Sequence, residues 1–202
     1  MNYFFALELP EDVRQELAAQ VNHWRLEFEQ VLKLEGWRPS YRWVEPRNYH
    51  ITLKFLGDVP ESAVERAIEK AQHIAEARQP LRVRLAQAGG VFKKQRLSTG
   101  ILWMGVRHDA DLEELGYALH EAIPTYTTNT SPLQHYKPHI TIARGTWAPE
   151  KFGYRLAYEH SFPSWQATQF VLMQTLPPQQ RAKEANARYN TVHTFPFRNT
   201  QL

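Results

Sequence analysis

The sequence predicts an α+β protein arranged as one two-lobed domain over residues 1–202, and three observations carry that expectation. Short alternating apolar and polar runs often follow one another with no helix between them, which favours antiparallel pairing over a parallel doubly wound sheet. Three further segments repeat apolar residues at three- to four-residue spacing, the period of an amphipathic helix. No composition break or flexible linker divides the 202 residues, and 43% of them are hydrophobic, enough for a substantial core.

The elements follow in order. "NYFFALEL" (2–9) reads as a buried strand, and Pro10 opens a helix whose stripe is Val13, Leu17, Val21 and Trp24. A polar, turn-rich connection, "GWRPSYRWVEPRN", leads to "YHITLKFLG" (49–57), an alternating strand closed by glycine. "DVPES" then starts a second helix carrying Val64, Ile68, Ala71 and Ile74. "LRVRLAQAGGVF" and "GILWMGVR" read as a hairpin around the basic loop "KKQRLST". "DADLEELGYALHEAI" is a third helix, with Asp109 or Asp111 as N-cap and an apolar stripe of Leu112, Leu115, Leu119 and Ile123. A second histidine strand, "PHITIARG" (138–145), comes next, and "QATQFVLMQTL" and "RYNTVHTFPF" close the chain around the polar loop "PPQQRAKEANA". The total is about eight strands and three helices.

Composition narrows the chemistry. Lys+Arg 24 against Asp+Glu 21 gives a formal charge of +3, which tolerates a polyanionic ligand without being a polybasic binder. With no cysteine, disulfides, thiolate nucleophiles and cysteine zinc sites are excluded. The N-terminal "MNYFFALELPED" lacks a basic leader, and no segment reaches the roughly 18 apolar residues of a membrane span. The expectation is a cytoplasmic monomer.

The two histidine strands share a phrase, H-I-T-L at 50–53 and H-I-T-I at 139–142. Side chains at i and i+2 of a strand share a face, so His50 stands beside Thr52 and His139 beside Thr141, while Ile51, Leu53, Phe55, Ile140 and Ile142 are directed to a core. Two such strands across one groove suit displacement at a phosphodiester: one imidazole takes a proton from water, the other protonates the departing oxygen, and hydroxyls hold the non-bridging oxygens. Free imidazole titrates near pH ~6.5, so modest shifts leave one ring neutral and the other charged.

At these residues the chain resembles the two-histidine (2H) phosphoesterase superfamily, and "RWVEPRNYHITLKFLGDVP" with "PHITIARG" resembles its RNA 2',3'-cyclic phosphodiesterases, also described as tRNA 2'-5' ligases. "FFALELP", "ILWMGV" and the closing strand pair fall in the order that resemblance expects. It implies a bilobal pseudo-symmetric fold with antiparallel sheets lining a central cleft and helices packed outside. It further implies opening of a terminal 2',3'-cyclic phosphate on RNA to a 2'-phosphate with no metal or other cofactor, and with possible reverse 2'-5' ligation. In that scheme His50 is the general acid and His139 the general base, Thr52 and Thr141 bind the phosphate, and Arg144 assists. A non-catalytic module binding a nucleotide or RNA end in the same groove is the alternative.

Strict alternation puts Arg144 on the face opposite His139 and Thr141, so it reaches the same phosphate only if the strand ends or bulges before Gly145. Lys54 has the parity of His50; a solvated strand end is the expectation for it, with a ligand contact the alternative. Trp43, Tyr49 and Phe55 are candidate base-stacking aromatics, with core packing expected for Phe55. Lys93, Lys94, Arg96, Arg181, Lys183 and Arg188 are loop cations for which solvated surface charge is the expectation and contact with upstream phosphates the alternative. His135 and His139 have a helical metal spacing, but Pro138 between them argues against a helix there and no metal site is expected.

Overall fold

The computed structural model describes residues 2–34, 41–93, 99–126, 137–146, 156–157, 161–181 and 187–198. Its strands are β1 (Asn2–Glu8), β2 (Tyr41–Trp43), β3 (His50–Asp58), β4 (Leu81–Val83), β5 (Leu85–Lys93), β6 (Thr99–Val106), β7 (His139–Thr146), β8 (Leu156–Ala157), β9 (Trp165–Ala167), β10 (Gln169–Thr175) and β11 (Tyr189–Pro196). The helices are α1 (Glu11–Leu34), α2 (Glu61–Glu76), α3 (Ala110–Ala122) and the single turn α4 (Pro178–Arg181).

A nine-stranded sheet runs β11-β10-β1-β3-β7-β6-β5-β8, with β2 added beside β7, and every ladder in it is antiparallel. The expected hairpin β5–β6 and the closing pair β10–β11 are present. Two expectations change. "LRVRLAQAGGVF" is two strands divided at Arg84, and β4 leaves the main sheet to pair with β9. The connection before the first histidine strand contains β2 and a 3-10 turn at Pro46–Asn48.

The sheet is built from two halves that meet at one residue pair. β11, β10, β1 and β3 form one half, β7, β6, β5 and β8 the other, and β3 joins β7 through Ile51↔Ile140. On one face of the sheet Phe5, Leu7, Ile51, Leu102, Met104 and Ile140 are buried in a core shared with the apolar stripes of all three long helices. Val13, Leu17, Val21 and Trp24 supply the stripe of α1, as their spacing requires. α2 packs against β10, β11 and α3, and α3 against β3 and β4. Asp109 is the N-cap of α3, its side chain accepting from the Leu112 amide at 3.3 Å. On the opposite face a small separate cluster, Phe4, Ala6, Val171 and Met173 with Tyr189 against it, covers β1 and β10.

Lys54 is only 2% exposed and its ammonium donates to Thr125 Oγ1 at 2.9 Å, so it lies on the helix side of β3. Burial pushes its pKa down from 10.5 to about 8, and its charge in turn helps hold His120 below the ordinary histidine range, after burial of that ring. With a folded pKa below the unfolded one, the unfolded chain binds more protons between pH 8 and 10.5, so stability rises with pH across that window. Lys54→Met is expected to stabilise the protein at pH 7 by roughly 1–3 kcal/mol and to flatten that rise. Urea unfolding of both proteins at pH 7, 9 and 10.5 checks it; a less stable variant with the rise intact contradicts it.

Candidate active site

Ile51 and Ile140 occupy the same position in the two H-x-T phrases, so their antiparallel pairing defines a local twofold axis between β3 and β7. Carried one residue to either side, that register sets His50 across from Thr141 and Thr52 across from His139. Both isoleucines are fully buried on the helix side, which leaves the four polar side chains on the open face of the sheet.

Each imidazole is fixed the same way. His50 Nδ1 lies 2.8 Å from the Asn48 carbonyl and His139 Nδ1 lies 2.7 Å from the Lys137 carbonyl, in both cases the carbonyl two residues earlier. A carbonyl only accepts, so each Nδ1 carries its proton and donates, which makes Nε2 the unprotonated nitrogen of each ring when neutral. His50 is held further by rings: Phe4 at 4.9 Å and Tyr189, edge-on, at 5.0 Å between centroids. Asn48 ties this corner together, because its Oδ1 accepts from the Arg188 amide at 2.9 Å at the entry to β11, which carries Tyr189. It is 5% exposed, one of two buried polar residues among the described ones. Around His139 the neighbour is Trp103, 6.4 Å away and edge-on; its indole lies against Gly90, where an added Cβ would come within 3.2 Å of the ring.

The position of Arg144 turns on a bulge. Thr141 is opposite Trp103 and Ala143 is opposite Leu102, so Ile142 is an extra residue on β7. Ile142 and Ala143 both point into the core and are fully buried. Parity is thereby shifted by one, and Arg144 faces the open side together with His139 and Thr141. Its charge is felt at both imidazoles, lowering the pKa of each.

β3 repeats the device. Thr52 is opposite Ala6 and Lys54 opposite Phe5, which makes Leu53 the extra residue and turns Leu53 and Lys54 both inward. Phe55, opposite Phe4, therefore joins His50 and Thr52 on the open face and is 44% exposed. Both expectations for this stretch are corrected: Lys54 is a core residue and Phe55 lies exposed on the open face. Tyr49, at 4% exposure, belongs to the core rather than to a stacking surface, and burial raises its hydroxyl pKa well above the ordinary range. Trp43 is partly buried against the same core.

Burial pushes His50 down to about 4, with Arg144 and His139 adding to the effect and the Asn48 carbonyl opposing it. Burial also lowers His139, the Lys137 carbonyl opposing and Arg144 reinforcing. The Arg144 charge that disfavours protonation of both imidazoles favours an anion beside them. Arg181 is tied to the Leu176 carbonyl at 2.6 Å, and Lys94, Arg96, Lys183 and His135 lie outside the described residues. Among the described residues no group of three or more His, Cys, Asp or Glu is placed to hold a metal ion.

The sequence pattern of the 2'-5' RNA ligase superfamily matches residues 10–177. The chain belongs to that superfamily. It is 31% identical over 165 residues to an RNA 2',3'-cyclic phosphodiesterase of Geobacillus stearothermophilus, covering 79% of this chain and 48% of the relative. It is also 31% identical over 153 residues to an RNA 2',3'-cyclic phosphodiesterase of Thermus thermophilus, covering 71% of this chain and 68% of that one. The match thus spans about half the length of the Geobacillus protein. Among solved structures, LigT of E. coli superposes over 98% of each chain with a TM-score of 0.69 at 22% identity, a likeness of fold. The mixed α+β architecture with antiparallel strands is shared with that structure.

Proposed function

We propose that this superfamily member hydrolyses 2',3'-cyclic phosphate ends of RNA or oligonucleotides to 2'-phosphomonoesters, acting as a cytoplasmic monomer and without a metal. The observation that supports this most is the pairing of His50–Thr52 with His139–Thr141 about the Ile51–Ile140 axis, with Arg144 turned to the same face. The names of the relatives point the same way. No helix among the described residues is long and apolar enough to cross a membrane.

In this reading the phosphorus sits between the two Nε2 atoms. His139 takes a proton from water as its oxygen bonds to phosphorus; the bond to O3' breaks in line, and His50 gives that oxygen its proton. The 2'-ester bond survives, so the product is a 2'-phosphate. Thr52, Thr141 and Arg144 hold the non-bridging oxygens as charge builds on them. With a 5'-hydroxyl in place of water, the same ring opening forms the P–O5' bond, breaks the bond to O3' and makes a 2'-5' linkage at the same centre.

Incubating the protein with a cyclic-ended oligonucleotide in the presence of EDTA tests this. A 2'-phosphomonoester is the expected product; an unchanged cyclic end across pH 4 to 9, or a 3'-phosphate product, overturns the proposal.

A further inference from the structure

We propose that Phe55 is the floor of a nucleobase subsite, stacking on the base of the nucleotide that carries the reacting phosphate. The two bulges make the argument. Counting from each histidine, Leu53 and Ile142 are the extra residues, Lys54 and Ala143 turn inward, and Phe55 and Arg144 turn outward. Phe55 is therefore the twofold counterpart of Arg144: a guanidinium on the β7 side of the phosphate position, an aromatic ring on the β3 side.

An aromatic residue left 44% exposed on the open face of the sheet forgoes burial that the neighbouring Phe4, 3% exposed, achieves. The bulge is what puts it there, since without the extra Leu53 it would have faced the core. Phe55 lies three residues beyond Thr52, about 10 Å or somewhat less along a bulged strand, which is the reach of a ribose and its base from a phosphate held at Thr52. Single-stranded RNA ends are recognised by stacking on such rings, and stacking is tolerant of base identity. Phe4, its register partner on β1, is buried beside it.

The chemistry of the ligand rests on the hydrolase reading above, but its test does not require turnover.

Adenosine 2'-monophosphate and methyl riboside 2-phosphate, which lacks the base, are titrated calorimetrically into wild type, Phe55→Leu and Phe55→Trp. Wild type is expected to prefer the nucleotide, Phe55→Leu to weaken it about 5- to 50-fold, and Phe55→Trp to retain it. Binding of the base-free compound is expected to be the same in all three. Unchanged nucleotide affinity in Phe55→Leu, or equal weakening of both compounds, overturns the subsite. A wild type that binds the nucleotide in this base-dependent way yet fails to open cyclic ends overturns the reaction and leaves the subsite standing.

Discussion

His50→Ala and His139→Ala are each expected to lower kcat for cyclic-end hydrolysis by about 10²- to 10⁴-fold with the fold intact. The size follows from what each ring supplies. Without the acid, an alkoxide must leave unprotonated; without the base, neutral water must attack. The Ile51–Ile140 pair that joins the two halves of the sheet points to the helix-side core, so neither substitution touches it. Because both rings serve one transition state, the double variant is expected to be little worse than the poorer single one. Steady-state kinetics with circular dichroism as a folding control checks this. Losses below tenfold in either variant, or fully multiplicative losses in the double, contradict a shared phosphorus.

Much of this site is legible in the sequence, because strand alternation is local. The H-x-T spacing alone puts each histidine and threonine on one face, and the apolar partners Ile51 and Ile140 are where the period of two requires. The three long helices likewise follow from their stripes, and the cap at Asp109 from its residue type. What local reading loses is parity beyond the motif. Lys54, Phe55 and Arg144 all sit past a bulge, and each bulge is set by a partner strand far away in the chain: β1 for Leu53, β6 for Ile142. Strict counting therefore assigns these three residues to the wrong faces. The only local sign is chemical, an arginine at a position that counting sends into the core. Asn48, Phe4, Tyr189 and Trp103 were missed for the same reason, since the contact from Asn48 to the Arg188 amide spans 140 residues. β4 escaped the expected hairpin because its partner β9 lies far along the chain, Leu81 pairing with Ala167.

The second large effect concerns pH. The proposed mechanism needs one imidazole protonated and the other neutral, so activity is expected to pass through a bell. In the free enzyme burial and Arg144 hold His50 at about 4 and His139 below its ordinary 6.5, so the bell of kcat/KM is centred on the acid side of 6.5. Bound substrate places a phosphodiester anion between the rings, which favours the charged form of both imidazoles and raises both pKa values. The bell of kcat, which reports the bound complex, is therefore displaced to higher pH than that of kcat/KM. The substrate phosphodiester stays a monoanion throughout this range, so the displacement belongs to the protein.

The most direct test of two imidazoles acting on one phosphorus is thus the pH dependence of kcat and kcat/KM, measured side by side from pH 4 to 9 on one cyclic-ended oligonucleotide. Two bells are predicted, with the maximum for kcat at the higher pH. Flat profiles, a single sigmoid, or two bells that superimpose would contradict the account.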